Sequence, residues 1–158
     1  MMLTDAMRKL VNHQRLGFVA IVYPDGTPNL SPKATIMIWD DEHIMFADIR
    51  SPQTMENLRL NPVTGINVVD YLTRKGYRFK WTAEIIEAGP ELEEIIAFYA
   101  ARNIHNPIRA AVKVKIERAE AVISPAYDDP TADEQEIRRR NFAWYMTESG
   151  SATPAERT

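Results

Sequence analysis

Apolar and polar residues fall into short blocks whose period changes repeatedly, and the changes mark the expected elements. Leu3, Met7, Leu10 and Val11 recur at helical spacing behind Thr4 and Asp5, either of which can cap a helix. Gly17 is expected to end it. Residues 18–23 form an apolar run suited to a buried strand, and Pro24-Asp25-Gly26-Thr27 has turn chemistry. A second strand over about 29–39 would close a hairpin, and a third is expected at 44–47. Ser51 and Pro52 then suit a helix cap and a first helical position, with Met55 and Leu58 facing inward until Asn61-Pro62 stops the helix.

Strand character returns over 63–69. Residues 77–88 alternate, placing Tyr77, Phe79, Trp81, Ala83 and Ile85 on one face and Arg78, Lys80, Thr82 and Glu84 on the other. Gly89-Pro90 opens a helix with an apolar stripe of Leu92, Ile95, Ile96 and Tyr99. Residues 112–122 alternate as one strand, and the segment after Pro130 reads as helical to about Met146. A frayed tail is expected over 149–158. About six mostly antiparallel strands with flanking helices, and no regular strand-helix-strand alternation, imply an α+β barrel in one domain over 1–148.

Composition narrows the function classes. The chain of 158 residues is 45% hydrophobic, which suits a packed domain rather than a disordered one. Its net charge of −3 offers no overall basic field for nucleic acid, so Arg138-Arg139-Arg140 reads as a solvated or ion-paired run. The absence of cysteine removes disulfides, thiolate metal sites and thiol catalysis. His13, His43 and His105 lack metal-ligand spacing, and no serine stands in a nucleophile-elbow context. With no membrane-length apolar run and no leader pattern, a cytoplasmic location is the expectation. Trp39, Trp81 and Trp144 are expected in the core or at a contact between subunits.

The segment from Asp48 to Leu58 carries the chemistry. A helix N-terminus presents unpaired N–H groups and partial positive charge, so it can hold a phosphate. Ser51 and Thr54 could donate from their hydroxyls, and Arg50 could fork onto the anion. The first turn contains no carboxylate, whereas Glu91, Glu93 and Glu94 crowd the start of the later helix. Lys33, Arg78 and Lys80 are further cations that could converge there. The same residues also read as an ordinary cap and a solvated strand face.

The order of these segments adds a resemblance. Leu16-Gly17-Phe18-Val19-Ala20, Asp25-Gly26-Thr27-Pro28-Asn29 and Ser31-Pro32-Lys33 resemble the pyridoxamine 5′-phosphate oxidase-related FMN-binding proteins. Phe46 to Thr54, Asn57-Leu58, Asn61-Pro62 and Arg74 to Lys80 extend the likeness over about residues 10–90. It implies an FMN-binding split barrel that dimerises, with flavin sites at the subunit interface. The residues it implies are Lys33, Ala34 and Thr35 on the second strand, then Asp48 and Ile49 at the end of the next. Arg50, Ser51, Gln53, Thr54 and Asn57 would line the phosphate loop, with Arg78 and Lys80 approaching from either subunit.

The likeness has departures. Gln53 and Thr54 replace the basic pair of the founding oxidase, and its Arg- and Trp-bearing C-terminal segment is not visible in 150–158. Trp81 replaces a small residue. The resemblance therefore implies an FMN-dependent oxidoreductase acting on an unknown small molecule rather than on pyridoxamine phosphate. A deazaflavin-dependent reductase and a non-catalytic flavin-binding electron carrier or sensor are the alternatives. A haem-handling member of the fold lacks an evident histidine ligand.

Overall fold

A computed structural model describes the backbone of residues 1–151 and the side chains of 1–147. Eight strands form one curled sheet in the order β2-β1-β5-β6-β7-β4-β3, with β8 also paired to β6. The strands are β1 (Gly17–Val22), β2 (Pro28–Lys33), β3 (Met37–Ile38), β4 (His43–Asp48), β5 (Val63–Asp70), β6 (Lys75–Ile86), β7 (Ala110–Lys115) and β8 (Arg118–Ile123). Every ladder is antiparallel. Four helices flank the sheet: α1 (Asp5–Gln14), α2 (Pro52–Leu60), α3 (Pro90–Ala100) and α4 (Glu134–Ser151). This is an α+β barrel, as the sequence pattern implied, and of the split kind that the resemblance implied.

The core explains why β4 is apolar without alternation. Ile44 and Phe46 join the cluster inside the barrel with Val11, Val19, Met55, Leu58, Ile66 and Phe79. Met45 and Ala47 point the other way, into a second cluster with Ile95, Tyr99 and Ala111 beneath α3. A strand buried on both faces loses the period-2 signal of a half-exposed strand.

Several expected elements are corrected. Arg15, not Gly17, closes α1, in a left-handed conformation with φ 51°. Gly17 opens β1 instead, because a Cβ there would meet Ile36, Val68 and the Asn67 carbonyl at 2.7–3.0 Å. The expected strand over 29–39 breaks at a turn on Ala34 and Thr35. Its first half pairs with β1 and its second with β4, so the turn hands the chain from one side of the barrel to the other. Ile96 is 39% exposed, because α3 buries Ile95 and Tyr99 and the adjacent position is rotated off that stripe.

The expected strand over 112–122 is also interrupted. Its register along β6 passes from Ala83↔Val114 to Lys80↔Arg118, so three steps on β6 face four on the partner. That extra residue is a β-bulge. It shifts the inward positions from Val112 and Val114 to Ala119, opposite Phe79. Trp81 lies opposite this interruption and is 45% exposed, not buried in the core.

α4 begins as expected. It is tied to the β5–β6 turn by Arg138–Asp70 at 2.9 Å and by Asn141 donating to the Leu72 carbonyl at 2.7 Å. It continues to Ser151, and of the tail expected over 149–158, residues 152–158 lie outside the described residues. No helix among the described residues is long and apolar enough to cross a membrane.

Candidate functional site

The site begins where β4 hands over to α2. Pro52 supplies the first helical residue, with its ring presetting φ, and no acidic residue lies in the first turn. Ser51 occupies the cap position, yet its side chain makes no capping hydrogen bond. The Ser51 hydroxyl instead accepts a hydrogen bond from Lys33 Nζ. In α1, by contrast, Thr4 Oγ1 accepts from the Met7 N–H in the ordinary capping way. The first-turn N–H groups of α2 therefore have no side-chain cap from Ser51.

Lys33 ends β2 and Asp48 ends β4, and both are buried, at 7% and 4% exposure. The Asp48 carboxylate accepts the Ser51 N–H at 2.8 Å. Burial pushes the Lys33 amine below its ordinary pKa, while the neighbouring Asp48 charge pulls it back up. The corner thus contains a carboxylate that a reading of the first helical turn alone omits.

The other expected residues divide by role. The Thr35 side chain is buried, and its hydroxyl accepts the Ala47 N–H at 3.0 Å. Its carbonyl accepts from the Tyr99 hydroxyl at 2.7 Å. Those groups hold β4 and α3 together, so Thr35 positions the corner, while Ala34 beside it is exposed. Thr54 and Asn57 are buried in α2, and Gln53 is exposed. Gln53 Nε2 donates to Asn57 Oδ1 at 3.1 Å. Asn57 Nδ2 is buried without a partner among the described residues, as is Asn67 Oδ1.

Arg78 and Lys80 do not join this corner within one chain. Lys33 pairs with Gly17, whereas Arg78 lies in the row of Asn67 and Phe18, one residue out of phase. Adjacent strand residues point to opposite faces, so Lys33 lies on the inner face and Arg78 and Lys80 on the outer. Arg78 faces Glu120 across the ladder and pairs with it at 3.7 Å. Lys80 lines an outer groove of about 330 Å³ with Ala20, Val22, Val63 and Trp81.

A residue the sequence reading missed stands beside Arg50. An open cleft of about 610 Å³ is lined by Ile49, Arg50, Asn106, Pro107 and Arg109. The Arg109 N–H donates to the Asp48 carbonyl at 3.1 Å, which fixes the start of β7 against the end of β4. Arg109 lies about 60 positions from Arg50 in the sequence, and nothing local to it signals a site. Among the described residues no group of His, Asp or Glu side chains is arranged to hold a metal.

Fold and site together define a split-barrel protein with a polar corner at one helix start. Residues 3–123 match the sequence profile of the pyridoxamine 5′-phosphate oxidase family, and the chain belongs to it. HupZ of Group A Streptococcus is similar at 32% identity and TM-score 0.71, covering 78% of this chain and 96% of HupZ. An FMN-binding protein from Syntrophomonas wolfei shares the fold at 16% identity and TM-score 0.60, over 75% of this chain and 84% of that one. An F420 reductase shares it at 20% identity and TM-score 0.57, over 75% and 98%. A search of curated protein sequences returned no match.

Proposed function

We propose that this chain is an FMN-binding flavoprotein that works as an oxidoreductase on a small molecule, with two copies completing the flavin sites. Family membership and the fold shared with an FMN-binding protein support a flavin ligand. The observation that carries the reading is the uncapped start of α2, where Ser51 is drawn to buried Lys33 and the first turn is free of carboxylates.

The residues fit the group. A phosphate ester needs donors, and this corner supplies the first-turn N–H groups, the Ser51 hydroxyl hydrogen and the Arg50 guanidinium. Asn57 Nδ2, buried in the same helix, is a donor with no acceptor among the described residues. Bound there, the flavin supplies hydride or single-electron transfer. Lys33 holds Ser51 in its rotamer, Tyr99 holds the Thr35 carbonyl, and the Ala34–Thr35 turn would supply backbone groups to the bound flavin. Arg78 and Lys80, on the outer face, serve the site of a second copy.

The test is absorption and mass spectrometry of the protein as purified. Two visible bands and a released mass equal to FMN are expected. A colourless protein that takes up deazaflavin but not FMN would replace FMN with the deazaflavin reading. Reduction by a nicotinamide cofactor with turnover of an acceptor distinguishes an enzyme from an electron carrier.

A further inference from the structure

Within one chain, the positive charge of the corner only just reaches that of the anion proposed for it. A phosphate monoester carries about −1.5 to −2 near neutral pH. Lys33 and Asp48 are buried together and offset one another. The N-terminus of α2 contributes roughly half a positive charge, and Arg50 one more. Arg78 points to the other face and is engaged with Glu120. The dianionic form leaves about half a charge for a further cation on the side of Arg50, besides those of a second copy.

Arg109 meets that need. Its backbone is hydrogen-bonded to Asp48, and its side chain lines the same cleft as Arg50. Arg8, Arg59, Arg118, Arg138 and Arg139 each pair with a carboxylate. Arg50 and Arg109 have neither an ion pair nor a side-chain hydrogen bond among the described residues. Two arginines without a carboxylate on one cleft, in a chain of net charge −3, form a receptor for an anion. Asn106 adds an amide, and Ile49 and Pro107 supply apolar walls.

We propose that Arg109, with Asn106, is a phosphate-binding residue that closes with Arg50 on the phosphate ester of the flavin. This rests on the flavin reading above and adds a part of the site contributed by the α3–β7 loop. The interaction is with the phosphate group alone, so the ring and ribityl chain should not sense Arg109.

Equilibrium titration of the apoprotein with FMN and with riboflavin separates the two ideas. For Arg109→Ala, FMN affinity should fall about 10- to 100-fold, while riboflavin affinity stays within about 2-fold of the parent. Arg109→Lys should recover part of the FMN affinity, because it keeps the charge and loses the fork. Inorganic phosphate should compete with FMN more weakly in Arg109→Ala than in the parent. Unchanged FMN affinity in Arg109→Ala, or equal losses for both flavins, would overturn the assignment to Arg109 and leave the flavin reading standing. A parent protein that binds neither flavin would overturn both.

Discussion

Lys33 donates to the Ser51 hydroxyl, tying the last residue of β2 to the cap position of α2 across 18 positions of sequence. The contact removes the usual helix cap and replaces it with a buried ammonium. The cost of burying that charge is offset by Asp48, whose carboxylate accepts the Ser51 N–H. A helix start held in this way leaves its first-turn N–H groups without a cap from the Ser51 side chain.

Placing a carboxylate at the cap tests that arrangement directly. Ser51→Glu is expected to abolish FMN retention while far-ultraviolet circular dichroism stays unchanged. Like charges brought together cost several kcal/mol, so a loss of at least about 100-fold is expected. Unchanged FMN affinity would show that the phosphate lies at another helix.

The Lys33 amine gives a pH signature. Its folded pKa is depressed below the ordinary lysine value of 10.5, chiefly by burial. The unfolded chain therefore binds more protons between the folded value and 10.5, and stability contributed by this group rises with pH across that window. As pH falls through the folded pKa, the same contribution is lost. Denaturant titrations at several pH values should show this slope in the parent and not in Lys33→Met. Parallel curves for the two proteins would refute it.

Tyr99 is fully buried, and burial raises its hydroxyl pKa far above the usual tyrosine value. Tyr99→Phe would leave the Thr35 carbonyl without that donor. A loss of about 1–2 kcal/mol in unfolding free energy is expected. FMN affinity should fall modestly as the Ala34–Thr35 turn loosens. A variant as stable as the parent would show that the Thr35 carbonyl finds another donor.

Gly76 lies in β6 where a Cβ would overlap the Val68 carbonyl oxygen and press on the Val69 backbone. Backbone cannot move aside as a flexible side chain can. Gly76→Ala is expected to destabilise by roughly 2–4 kcal/mol, read from the denaturation midpoint. Gly65→Ala serves as the contrast, because its nearest neighbour would lie at 3.8 Å.

The outer sheet face exposes Leu30 at 63% and Val63 at 61%, and Trp81, 45% exposed, lines the groove beside Val63. Apolar residues gathered on a sheet face are suited to a contact with a second copy. Trp81→Glu should shift the protein toward monomer in sedimentation velocity and lower FMN retention with it. A monomeric parent that binds FMN tightly would contradict a shared site.

Helical spacing placed α1, cap residues and spacing placed α2, apolar runs placed β1 and β5, and Pro-Gly turn chemistry placed the hairpin turn at Gly26, because each of these signals is local to its segment. The residues of the Ser51 corner were legible for the same reason: a cap residue, a proline and an uncharged first turn are neighbours in the chain. Tertiary structure alone decided where the expected strand over 29–39 divides, since its two halves answer to different partners, β1 and β4. It also placed Arg78 and Lys80 on the face opposite Lys33, through a ladder register that no single strand contains. Arg109 reaches Arg50 because β7 pairs with β4, and pairing between distant strands is a property of the closed sheet rather than of either segment.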